Sequence, residues 1–197
     1  MTKKNVRLGF VLMLGMALLL GAICNFASGS IGSVIRGAMV ILLYGSLLVF
    51  VLLGQKQYAR FLMLVSFAFI IVGNFLDWGG NIDTLINLCR SSSSDTVLKG
   101  FQIARSGIDL ISAILLLIVA VLCAMQSNVR TLKNANTTIQ LLLVNMVLVS
   151  VSTILLIVIL ILSKQGWISY LAGIQNIFAA GALAFGYAYY QESGLSR

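Results

Sequence analysis

The apolar residues of this chain fall in blocks of about 20, and no other feature of the sequence limits its fold so severely. A block of about 20 residues is what a helix needs to cross a hydrocarbon core of ~30 Å. Six such blocks stand at about 8–27, 34–54, 61–78, 107–126, 139–162 and 168–190. Composition agrees: 60% of the 197 residues are hydrophobic and 9% are charged, against about 25% charged in an ordinary soluble domain. A soluble chain of this size still exposes much of its area and cannot hide that much apolar surface. The expectation is an all-α integral membrane protein, a six-transmembrane-helix bundle in one domain over residues 1–197.

The segments between blocks give the expected path of the chain. The first block follows Lys3, Lys4 and Arg7, as a secretory signal would. Asn25 occupies the position where a cleavage site ending at Ala27 needs a small residue, and bulky Ile23 precedes Cys24. The block is therefore read as a retained first span. Residues 29–33 form a turn and residues 55–60 a polar link. One longer outer loop, from 79 to about 106, joins helices 3 and 4. Within it Ser94 reads as an N-cap with Asp95 in the favourable first turn. A helix starting there should run through Phe101 and Arg105 into the fourth span and project beyond the membrane.

Basic residues orient the spans. Lys3, Lys4, Arg7, Lys56, Arg60, Arg130, Lys133 and Arg197 fall on one side; Arg36, Arg90, Lys99, Arg105 and Lys164 fall on the other. The excess places both ends in the cytoplasm (N-in/C-in), with the cytoplasmic or plasma membrane as the expected location. The net charge of +8 is scattered at span ends, with no stripe of Lys and Arg, so the expected partner is the lipid bilayer and not nucleic acid.

Seven polar residues stand out against the apolar background: Asn25, Arg36, Asn74, Asp77, Asp109, Gln175 and Asn176. All fall toward the outer ends of their spans in this topology, and together they form a candidate outward-facing cleft. Charged residues at membrane depth seek partners, so Arg36 is expected to pair with Asp77 or Asp109. The adjacent amides Gln175 and Asn176 cannot both reach the headgroups. Cys24 and Cys89 both fall on the outer side and form a candidate disulfide. The small residues of helix 6, Ala180-xxx-Ala184-xxx-Ala188 and Ala182-xxx-Gly186, let backbones approach closely. They place spans 1, 2 and 6 at the packed centre. Span 5, with its "LLIVILIL" run, is expected at the lipid-facing periphery.

The absences narrow the chemistry. The chain has no histidine, which removes bis-imidazole haem and Ser-His or Cys-His nucleophile pairs. It has no proline either, so broken helices would depend on Gly or Asn. Asp109 follows Ser106-Gly107-Ile108, which departs from the G-x-G-D motif of intramembrane aspartyl proteases. All six lysines lie at span ends or in loops, leaving none for a retinal Schiff base. No enzyme activity, cofactor or metal is expected. In length and span count the chain resembles the small substrate-capture subunits of bacterial vitamin uptake systems, a likeness of scale that no motif carries and from which no function follows. The functional expectation is solute binding or transport at the outward cleft, alone or as a subunit. The alternative is a structural or assembly subunit that meets other membrane subunits through helix 6 or the 95–105 segment.

Overall fold

The computed structural model describes residues 3–27, 29–55, 58, 65, 68, 82–83, 85–90, 96–126, 132–164 and 166–194. Its elements are α1 (Lys3–Ala27), α2 (Ile31–Val40), a π-helical turn (Ile41–Gly45), α3 (Ser46–Leu52), α4 (Thr96–Gln126), α5 (Leu132–Leu162) and α6 (Trp167–Gly194). The described residues contain no strand. Five helices among them are long and apolar enough to cross a membrane: Asn5–Ala27, Ile31–Leu52, Thr96–Leu122, Asn136–Leu162 and Trp167–Tyr189. The chain is a helical membrane protein. The expected third span, 61–78, lies outside the described residues, and so do Asn74, Asp77, Ser94 and Asp95.

The chain divides into two compact units, one made of residues 1–69 and 174–197 and the other of residues 70–173. The boundary falls within α6. In the first unit α1 buries Val6, Phe10, Leu14, Ala17, Leu20 and Cys24, a stripe with the three- and four-residue spacing of one helix face. Its opposite face, Leu8, Leu12, Met16, Leu19 and Ile23, is exposed and equally apolar. Only lipid solvates such a face without cost, so α1 is held by close packing and not by a contrast between oil and water.

That packing is against α2 and, through its glycines, against α6. A Cβ added at Gly9 would lie 2.8 Å from the Phe185 ring, one at Gly181 would lie 2.9 Å from Met13 Sδ, and one at Gly21 would lie 3.2 Å from Gln175 Nε2. Partners on α6 fall in number as those on α1 rise, so the two helices are antiparallel. The rings of Phe10 and Tyr189 meet at 5.9 Å along the same seam.

The second apolar stretch begins three residues before its expected start. Ser30 has extended backbone and accepts a hydrogen bond from the Ser33 amide, which satisfies a donor at the start of α2. The π turn widens the helix at Tyr44, which is buried, and the Ser46 hydroxyl donates to the Leu42 and Leu43 carbonyls. α3 then ends in a Schellman turn: Gly54 has φ +72°, and the Gln55 amide donates to the Phe50 carbonyl. Arg7 of α1 donates from Nη2 to the Val51 and Leu52 carbonyls, each at 3.0 Å, and so tops the negative end of that helix. Arg7→Ala is expected to lower stability by about 1 kcal/mol, the value of an exposed charged hydrogen bond at a helix end. Arg7→Lys should recover only part, since an ammonium cannot reproduce the planar fork. Thermal unfolding in detergent checks both.

In the second unit α4 and α5 form an antiparallel pair. α4 is 31 residues long, about 46 Å at 1.5 Å per residue, and runs unbroken through Phe101 and Arg105 as expected. Within the segment expected as the outer loop, α4 begins at Thr96, next to the expected cap, and residues 82–83 and 85–90, where no helix was expected, are helical as well. The loop reading rested on polar residues, which an exposed helix accommodates as readily. α5 also differs from expectation. It is no featureless lipid-facing span, because Thr138, Leu142, Asn145, Ser152, Thr153, Ile159 and Leu160 are buried.

α5 turns tightly into α6 through Lys164, whose φ of 52° is the left-handed conformation that a Cβ disfavours. Glycine fills the equivalent place at Gly29 and Gly54. Lys164→Gly is expected to raise the unfolding midpoint, by about 1 kcal/mol of stability. An unchanged or lowered midpoint in a thermal melt would count against the strain.

Candidate functional site

Of the seven residues expected to form one cleft, the structure gives neighbours to Asn25, Gln175 and Asp109. Asn25, on α1, donates from Nδ2 to the Gly21 carbonyl at 2.7 Å, and its Cβ lies 3.1 Å from where a Cβ on Gly37 would stand. Gln175, on α6, brings its amide nitrogen over the same Gly21. These two amides therefore converge on one turn of α1, where glycines at 21 and 37 let α2 and α6 approach. Asn176, next along α6, is exposed and does not join them. Arg36 is also exposed, and its expected partner Asp77 is outside the described residues.

Asp109 belongs to the second unit. Its Oδ1 accepts a hydrogen bond from the Ser152 hydroxyl of α5 at 2.5 Å. Its Oδ2 lies 3.6 Å from Arg105 Nε, one helical turn back on α4. That separation exceeds a hydrogen bond, and the buried Nε has no hydrogen-bond partner among the described residues. One turn further along α4, the Ser112 hydroxyl donates to Asn145 Oδ1 at 2.6 Å. Both Ser112 and Asn145 are buried. Thr153, beside Ser152, donates to the carbonyls of Val149 and, across to α6, of Gly173.

The helices set the height of each group along the hairpin. Ser152 stands ten residues before the end of α5 at Leu162, which is about 15 Å along the axis. That is half of a hydrocarbon core of ~30 Å. Asp109, bonded to Ser152, lies at the same height along the hairpin, and it is the central residue of the candidate span Thr96–Leu122. The sequence pattern placed Asp109 at the mouth of a span beginning near residue 107.

The polar partners on α5 were the part that sequence reasoning missed. Thr138, Asn145 and Ser152 recur every seven residues and continue to buried Ile159, the repeat of a helix seam. That repeat could have flagged the buried face. The expected Cys24–Cys89 disulfide is not formed: both thiols are free, Cys24 buried among the apolar residues of α1 and Cys89 exposed. A small thiol packs well in such surroundings without a bridge. No His/Cys/Asp/Glu cluster capable of holding a metal occurs among the described residues.

Compared with known protein families, with curated proteins and with solved structures, the chain matches none. What the fold and site define is a class: a helical membrane protein with an ion pair and a chain of hydroxyl and amide groups inside one helix hairpin.

Proposed function

We propose that the chain is a six-span, non-catalytic protein of the cytoplasmic membrane that binds or passes a small solute along polar groups on its helices. The observation that carries the reading is Asp109, a carboxylate near mid-span, oriented by Ser152 and accompanied by Arg105. A charge at the centre of a span costs roughly 2.5–3.5 kcal/mol on insertion scales, and its retention marks a working group by default. The amides of Asn25 and Gln175, gathered at Gly21, provide a second point for hydrogen bonds to solute.

Six crossings with both ends cytoplasmic are supported by parity. α1 and α6 run antiparallel within the first unit, so the start of α1 and the end of α6 share one side. An odd number of crossings cannot achieve that. The five described spans need one more, and the apolar block at 61–78 has the length for it. The excess of Lys and Arg then puts the shared side in the cytoplasm.

The test is a solute-gradient swelling assay on liposomes holding the full chain. Asp109→Asn should abolish permeation of any solute that the native protein passes, while retaining its level and its elution profile. Equal rates in the two samples would remove the reading.

A second reading, a structural or assembly subunit, is favoured by a different observation. Ser112 with Asn145, and Thr153 with Gly173, satisfy one another across helices as structural bonds do. The small residues of α6, including Ala180, Ala182 and Ala184, are already buried within the chain. In this reading the partner meets the start of α4, where Thr96, Val97, Gly100 and Ala104 form an exposed face. A stoichiometric companion in native purification, lost on Gly100→Trp, would select it.

A further inference from the structure

We propose that Asp109 is a cation-binding carboxylate at which a proton or a sodium ion takes the place of the Arg105 guanidinium. The inference deepens the passage reading by naming an ion that the site would hold. Three observations carry it. Ser152 fixes Oδ1 at 2.5 Å and leaves Oδ2 turned toward Arg105. The Arg105 contact is loose at 3.6 Å, with Nε making no hydrogen bond, so the native counterion is held by charge alone. The Ser112–Asn145 pair, three residues along the same face of α4, sets two further oxygens deeper on the hairpin. Hard monovalent and divalent cations take carboxylate, hydroxyl and amide oxygens of this kind.

Among the described residues, Arg105 is the cation in contact with Asp109, and Lys99 stands ten residues back on α4. Between Arg105 and Cys123, α4 has no other ionisable side chain besides Asp109, and α5 has none between Lys133 and Lys164. Tyr170 is the ionisable residue on the part of α6 in the same unit, and Asp83, Cys89 and Arg90 of that unit are exposed. On binding, a proton from the aqueous phase adds to Oδ2 while Ser152 continues to donate to Oδ1. A sodium ion instead bridges the same carboxylate to the hydroxyl oxygens. In either case the guanidinium stays charged and withdraws toward the start of α4; its side chain is already about one-third exposed (35%).

The experiment is labelling of the full chain in lipid vesicles with dicyclohexylcarbodiimide, which adds to protonated carboxyls in apolar surroundings, read by peptide mass spectrometry. The expected result is an adduct on Asp109 that forms faster as pH falls. Arg105→Gln should speed it several-fold at neutral pH by removing the competitor, and Asp109→Asn should abolish it. Sodium chloride slowing the reaction, with potassium chloride having no effect, identifies sodium; equal behaviour in both salts identifies the proton. No adduct on Asp109 at any pH in the native protein and in Arg105→Gln alike overturns the proposal, as does an adduct insensitive to pH, sodium and that substitution. Labelling needs no transported solute, so a failed swelling assay with Asp109 reactive removes solute passage and leaves the cation site standing.

Discussion

Gly21→Leu is expected to destabilise the first unit by about 2–3 kcal/mol, the cost of forcing a large side chain into a filled contact. A single Cβ at this position already stands 3.2 Å from both Gln175 Nε2 and Val40 Cγ1. Leucine adds three more carbons at a point where α1, α2 and α6 have no slack. Gly21→Ala, in contrast, should be close to neutral: the two neighbours give by a few tenths of an ångström, and alanine gains about 1 kcal/mol over glycine inside a helix. Pairing Gly21→Leu with Gln175→Ala should restore much of the loss, because the amide is one of the two groups displaced. Unfolding midpoints in detergent for the three variants decide the matter. A Gly21→Leu protein as stable as the native one would show that the helices are not in contact there.

The second large effect is expected at the ion pair. Arg105→Leu leaves Asp109 as a lone carboxylate near mid-span, and the insertion cost sets the scale at about 2.5 kcal/mol. Part of this is relieved by the Ser152 hydrogen bond and by access of about one-third of each side chain to the surroundings. Asp109→Leu strands Arg105 less severely, since a long guanidinium chain can reach toward the headgroups. The double variant, Arg105→Leu with Asp109→Leu, should be more stable than Arg105→Leu alone, as when a buried pair is replaced by apolar residues. Additive losses in the double variant would mean that the two charges act independently, each with some other partner.

These results bear on how much of the site the sequence disclosed. Asp109, Asn25 and Gln175 are conspicuous because each breaks an apolar run, and the structure gives each a specific neighbour. Their grouping was not legible. The sequence offers Arg36 as a partner for Asp109 by charge, and the structure places Arg105, four residues away on the same helix, 3.6 Å from it. Asn176 looks as significant as Gln175 in the sequence, but adjacent helical residues point about 100° apart, and only Gln175 faces Gly21. Ser112 and Ser152 are inconspicuous because a hydroxyl in an apolar helix can also bond its own preceding turn, as Ser150 does to Met146.

Sequence alone determined the class of this protein. Blocks of about 20 apolar residues with charges kept to their ends can be satisfied only by helices in lipid, where each backbone group bonds within its own helix. It also determined the close approach of spans 1, 2 and 6, because small residues are the means by which backbones pack when lipid removes the hydrophobic contrast. Only the tertiary structure decided that Asp109 meets Ser152, that Ser112 meets Asn145, and that α5 turns its Thr138–Asn145–Ser152 face to a neighbour. The physical reason is that lipid accepts nearly any apolar face. Which face of a uniformly apolar helix is covered is fixed by a few hydrogen bonds between helices, and those exist only once the helices have met.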